Sequence, residues 1–259
     1  MGYFVYPKAF LIAETKVDYA AMDHALLHLG VNGWMSDGET DADVLTEFAG
    51  KSCYMSFDTA LNQNLTKVGG RSNYDYIQQG IIANKHGSVL EHSSVTFFLT
   101  NVSRVVTHEL VRHRAGTAFS QTSGRYVRGD DVNMYLPDVL AEFPEAVAVF
   151  QRANMQMEDN LAELVRITGI DTMTNFDLKK RLTSAFRRIL GNGQSNHIVM
   201  TGNHRAWRHI IEVRTSVHAE EEIRVIMGDV AQQLKSRFPT LYADMECSNG
   251  EWVFANSKV

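Results

Sequence analysis

Cysteine is scarce in this chain, with only Cys53 and Cys247 among 259 residues. Two thiols cannot build a disulfide framework, and such usage points to a reducing compartment. No apolar run approaches the ~20 residues that cross a bilayer, so no transmembrane segment is expected. Residues 1–16 lack a basic region followed by a sustained apolar stretch, so no signal peptide is expected either. The reading is a soluble, cytoplasmic protein. Internal repeats are missing, as are linkers rich in Pro, Gly or Ser and any Gly-rich phosphate loop of the Walker or dinucleotide kind. Excess positive charge is lacking as well. The formal net charge is −5, which argues against a protein that coats duplex nucleic acid.

What is present is a chain that is 44% hydrophobic and long enough to bury roughly 70–75% of its unfolded surface. We expect one domain over residues 1–259. Its positive charge is uneven: arginines crowd into 104–128, 181–188 and 205–214, while acids dominate 36–47 and 219–222. Local basic clusters on a mildly acidic chain suit a small anionic ligand, such as a nucleotide, better than a polymer.

Phe10 to Ala13 reads as a short strand, and residues 32–41 as a turn-rich loop broken by Gly33 and Gly38. Tyr74 to Lys85 predicts a helix ending at His86-Gly87. Ser94 to Thr100, dense in β-branched and aromatic residues, is the clearest strand, and Arg104 to Arg112 follows as a helix. After Pro137 the pattern turns helical and stays so. Val147, Phe150, Met157, Leu161 and Leu164 space a long core-facing helix, and Leu178 to Leu190 a basic one. Asn203 to Arg214 and His218 to Arg237 complete the set, the last with Ile223, Ile226, Val230 and Leu234 as its stripe and Pro239 just beyond its end. The class is α/β in the α+β sense, a modest sheet with long helices.

Chemistry concentrates in three clusters. Glu109, Arg112, His113 and Arg114 follow the hydrophobic strand, and Gln121-Thr122-Ser123-Gly124-Arg125 comes soon after. Two arginines flanking a histidine can direct planar forks at phosphate or carbonyl oxygens; a bare Arg-x-Arg is more often a solvated, salt-bridged face. The polar run behind it supplies hydroxyls, an amide and another arginine, an inventory for a phosphorylated sugar. The second cluster, His86 to His92, fits no metal-ligand spacing, so it reads as a flavin or phosphate contact or as a structural hydrogen-bond network. The third runs from Thr201 to Arg214. Arg205 and His209 share a helix face there, Asn203 is placed to cap the helix, and Trp207 reads as core.

In order along the chain, HGSVLEHSSVTF, SRVVTHELVRHR, SQTSGRYV, TGNHRAWRHIIEVR and HAEEEIR resemble the flavin-dependent thymidylate synthases, a family marked by Arg-His-Arg, a spacer and Ser-x-Arg. With FAGKSCY near residue 50, the resemblance runs from Phe48 to Pro239. It implies a mixed or antiparallel sheet flanked by long helices, and a homotetramer with sites at subunit interfaces. It further implies that His86, Ser88, Arg112, His113, Arg114, Gln121, Asn203, His204, Arg205 and His209 hold FAD, bound without a Rossmann domain. Glu109, Arg112, Gln121, Thr122, Ser123, Gly124, Arg125, Arg187 and Arg214 would surround dUMP. Arg214 is then the catalytic residue, polarising the uracil ring, and no enzyme cysteine attacks. The implied reaction reduces FAD with NADPH, passes methylene from methylenetetrahydrofolate to C5 of dUMP, and completes dTMP with a hydride. No metal is implied.

Three departures stand out. Eight residues, Ala115 to Thr122, separate Arg-His-Arg from Ser123, where relatives usually place seven. Gly116 could absorb the extra residue, or the insertion could reshape the floor where flavin meets substrate. Gly191-Asn192 stands where Leu-Pro is common, and Glu220 where glutamine often stands. The insertion keeps open a related flavin-folate enzyme that leaves a hydroxymethyl group or modifies another pyrimidine nucleotide. The basic stretches keep open a nucleotide- or RNA-binding homologue without turnover.

Overall fold

The computed structural model describes residues 4–65, 68–128 and 132–259. The chain opens with β1 (Lys8–Glu14) and α1 (Tyr19–His28), the latter capped by the Asp18 carboxylate on the Ala21 N–H. A reciprocal capping box between Thr40 and Asp43 starts α2 (Asp41–Tyr54), satisfying N–H groups that a helix start leaves open. The short α3 (Asn73–Asp75) runs into a π-helical stretch, Tyr76–Ile82. Next come β2 (Ser94–Ser103), α4 (Arg104–Leu110), β3 (Thr117–Gln121), α5 (Asp138–Ala141), α6 (Pro144–Thr168) and α7 (Phe176–Phe186). After these follow β4 (Ser195–Asn203), α8 (His204–Arg214) and α9 (Glu221–Arg237), then a hairpin of β5 (Met245–Ser248) and β6 (Glu251–Phe254).

The main sheet has the order β1-β2-β4-β3, and every neighbouring pair is antiparallel. Its inner face presents Val95, Phe97, Leu99, Ile198 and Met200, all fully buried. The stripe Ile223, Ile226, Val230 and Leu234 of α9 joins the same cluster, with Trp207, Ile210 and Ile211 of α8. Trp207 sits edge-on to Phe97 at 5.2 Å between ring centroids and donates its indole N–H to the Val95 carbonyl at 3.2 Å. An aromatic of that area, with its one donor satisfied, is a strong anchor, and it ties α8 to the sheet. Arg208 adds a buried tie, pairing with Asp244 at 2.7 and 2.9 Å. Among the described residues no helix is long and apolar enough to cross a membrane.

The region after Pro137 is not helical throughout, because β4 lies within it at the centre of the sheet. Its inward positions run Asn196, Ile198, Met200, Gly202; a polar residue and a glycine stand at the two ends of the buried row, so the strand's alternation is weak in the sequence. β3 is equally hidden, and neither α1 nor α2 was foreseen. The long helix α6 also differs from expectation: Leu161 is buried, but Phe150 is 40% exposed, so only its C-terminal half reaches a core cluster.

Candidate active site

Two motifs about a hundred residues apart meet at the end of α8. Asn203 caps this helix, its side-chain oxygen accepting from the Ala206 N–H at 2.8 Å, and Arg214 is its last residue. The Arg214 guanidinium faces α4. Its Nη1 lies 2.6 Å from Glu109 Oε2, and its Nε donates to His113 Nε2 at 2.8 Å. A histidine nitrogen that accepts from arginine must be unprotonated, which puts the ring's proton on Nδ1. The surroundings agree: burial first, then the charges of Arg214 and His209, lower the His113 pKa to about 4. The His209 ring stands edge-on to His113 at 5.8 Å. Arg214 is thus aimed by a carboxylate and a neutral imidazole, with further N–H donors left for a ligand.

A separate cleft of about 400 Å³ is bordered by Thr122, Gly124 and Arg187. Arg104, at the start of α4, lines it too and was not foreseen. A Cβ on Gly124 would lie 3.3 Å from Arg187 Cδ and 3.5 Å from Arg104 Nη2, so the aliphatic stem of Arg187 and the guanidinium of Arg104 both pack close to this glycine. Burial, and then the charge of Arg187, pull the Arg104 pKa below its ordinary value. Among the described residues the cleft wall carries no Asp or Glu. Such a wall attracts a phosphorylated ligand.

A larger cavity, about 850 Å³, lies against the other end of α8, where His86, Ser88 and Arg205 form part of its wall. Lys51, Cys53, Tyr54 and Tyr76 line it as well. They come from the FAGKSCY motif and the π-helical stretch, and no role had been expected for them. The volume falls in the range of small-molecule and cofactor sites. Cationic, aromatic and aliphatic groups share the wall, and among the described residues it carries no carboxylate, a donor set that fits a large, flat, anionic group such as a flavin dinucleotide. Arg205 continues into a smaller cavity, about 240 Å³, shared with His209, so the large cavity and the Arg214 cluster are linked along α8. The 400 Å³ cleft and the large cavity share no lining residue.

Other expected residues fall as follows. Arg112, Arg114 and Arg125 are exposed, Ser123 is half-buried, and the Gln121 amide is turned to Thr107 Oγ1 at 3.1 Å. His204 departs from the flavin contact expected of it. Its ring is 1% exposed, packs edge-on to Phe238 at 4.7 Å, and places Nδ1 3.0 Å from the Tyr242 hydroxyl. It is a core residue, and burial lowers its pKa to about 3. The lengthened spacer turns at Gly116, whose φ is +69° and whose missing Cβ would lie 2.4 Å from the Asn203 amide nitrogen. Only glycine accepts that conformation and that contact together.

The family described as "Thymidylate synthase complementing protein" matches residues 36–240. A flavin-dependent thymidylate synthase from Mycobacteroides abscessus is 38% identical over 216 residues, covering 81% of this chain and 83% of that one. One from Corynebacterium efficiens is 36% identical over 219 residues, covering 82% and 83%. Among solved structures, the UMP/dUMP methylase PolB from Streptomyces cacaoi superposes with a TM-score of 0.67 at 17% identity, over 94% of this chain and 96% of that one. Thymidylate synthase X from Helicobacter pylori, with FAD and dUMP, superposes with a TM-score of 0.57 at 18% identity, over 91% and 99%. The motifs that converge on Arg214 therefore sit in a fold and a sequence of one kind, and the chain belongs to the flavin-dependent thymidylate synthase family.

Proposed function

We propose that this protein methylates dUMP to dTMP, with methylenetetrahydrofolate as one-carbon donor and NADPH as reductant, using FAD. The observation that carries the reading is the convergence of Glu109, His113 and Arg214, which presents a preorganised guanidinium in a chain that also carries an arginine-lined cleft. Bound flavin supplies the reducing equivalents. Residues of this chain supply position and charge. His86, Ser88 and Arg205 hold the flavin, with Lys51 and Tyr76 as further walls of the cavity. Thr122, Ser123, Gly124, Arg125 and Arg187, joined by Arg104, bind the nucleotide phosphate. Arg214 donates to the uracil ring and favours the anionic form that makes C5 nucleophilic, a preorganised interaction of about 3–4 kcal/mol by comparison with one oxyanion donor. Glu109 and His113 hold Arg214 in line.

The nucleotide and flavin residues line separate cavities in one subunit, which supports assembly of each site from several chains of a homotetramer. The exposed, unpaired cysteines Cys53 and Cys247 support a cytoplasmic enzyme. The decisive experiment incubates purified protein with dUMP, UMP or dCMP, methylenetetrahydrofolate and NADPH, and reads products by mass. Formation of dTMP from dUMP is expected; a hydroxymethylated product or a modified cytosine nucleotide alone would overturn the assignment. Flavin absorbance in the purified protein separates the enzyme from a nucleotide-binding homologue.

A further inference from the structure

The HAEEEIR motif places three glutamates in a row, and the fold gives each a different task. Glu220 caps α9 through the Ile223 N–H at 3.1 Å, and Glu221 accepts from the Tyr135 hydroxyl at 2.9 Å. Glu222 turns inward. It is 3% exposed, and its Oε1 accepts the backbone N–H of Ser103 at 2.6 Å, where Ser103 is itself 2% exposed. Ser103 is the junction between β2 and α4: it ends the strand and caps the helix, its hydroxyl accepting from the Val106 N–H at 3.3 Å.

We propose that Glu222 is a positioning residue for the Arg214 site, holding the residue that caps α4 so that Glu109 and His113 meet the Arg214 guanidinium. The inference rests on the reading of that cluster as the nucleotide site. Its physical basis is the shortness of α4. Seven residues make about two turns, too few to hold a helix by itself, so its orientation comes from its ends and its buried face. The far end is tied to Arg214. The near end is tied to Glu222, eight positions further along the chain, so both ties lead to the corner between α8 and α9. A buried carboxylate is costly unless its lone pairs are used. Here it receives a backbone donor at the start of a helix, where negative charge is also favoured. Burial still raises its pKa to about 7, with Glu220 the neighbouring charge that adds to the shift.

The test compares Glu222→Gln, which keeps an acceptor oxygen in place, with Glu222→Leu, which removes it. Both are measured as FAD-loaded full-length protein. Glu222→Leu is expected to raise the KM for dUMP about tenfold, the effect of one lost hydrogen bond expressed at the site. It is also expected to move the His113 titration, followed by NMR, upward from about 4 as the Arg214 contact loosens. Glu222→Gln is expected to stay within about twofold in both readouts, since the acceptor survives. A folded Glu222→Leu protein with wild-type KM and unchanged His113 titration overturns the proposal, and so does a Gln variant as impaired as Leu. Should Glu222→Leu fail to fold, Glu222→Asp, shorter by one methylene, decides in its place: an unchanged KM and titration in that variant also overturn it. If wild-type protein does not methylate dUMP, the functional reading fails, while the His113 titration still decides the role of Glu222.

Discussion

Replacing Arg214 by alanine separates its structural work from its chemical work. The side chain is 20% exposed and its partner Glu109 31% exposed, so water reaches both ends of the pair once the guanidinium is gone. Losing hydrogen bonds to a carboxylate and an imidazole costs up to about 1.5–3 kcal/mol each when groups stay dry. Partial rehydration of Glu109 brings the total to about 1–2 kcal/mol. For a chain of this size that lowers Tm by about 2–4 °C per kcal/mol. The chemical loss is larger: removing one preorganised donor from a developing charge lowers turnover about 10²- to 10³-fold. FAD binding is expected to survive, because Arg214 is not part of the wall of the 850 Å³ cavity. The assays are dTMP formation, flavin absorbance after desalting, and a thermal melt. Turnover within a few-fold of wild type, alongside the expected fall in Tm, would show that Arg214 only braces the fold and would refute its catalytic role.

Three further outcomes follow from particular contacts. The imidazoles of His113 and His204 have folded pKa values of about 4 and about 3, below the ordinary value of about 6.5, so the unfolded chain takes up protons that the folded one refuses. Their contribution to stability is therefore present above pH ~6.5 and lost as pH falls from there toward their folded values; urea midpoints at pH 7 and pH 5 should show the loss, and His204→Phe should reduce it. Gly116→Ala must place an alanine in the left-handed region, at about 1–2 kcal/mol, and must push aside the Asn203 amide. A urea melt showing no loss would mean that the turn is not built as described. Asp244→Ala leaves Arg208 charged and buried, since their side chains are 6% and 5% exposed, and should cost about 3–5 kcal/mol, a shift that calorimetry resolves easily.

How much of the site was legible depended on whether a residue's task is local. Asn203 was read as a helix cap because capping needs only its neighbours, and Ile223 to Leu234 were read as a buried stripe because helical periodicity is written along the chain. Gly116 was named as the residue able to absorb the extra position for the same local reason, its backbone freedom. His204 was different. It sits in the same short motif as Arg205 and His209, yet packing against Phe238 and Tyr242 turns it into the core, and no pattern within the motif records which side of α8 meets those rings. β4 escaped notice because the two ends of its inner row are Asn196 and Gly202, whose places are set by the neighbouring strands and by Trp207.

By itself the sequence determined the family and the α+β class, since each is carried by residue types at short spacing. Tertiary structure alone decided the pairing of Arg214 with Glu109 and His113, the entry of Arg104 into the wall of the 400 Å³ cleft, and the inward turn of Glu222. Each of those depends on how α4 packs beside the corner of α8 and α9, and such a contact leaves no trace in either segment separately.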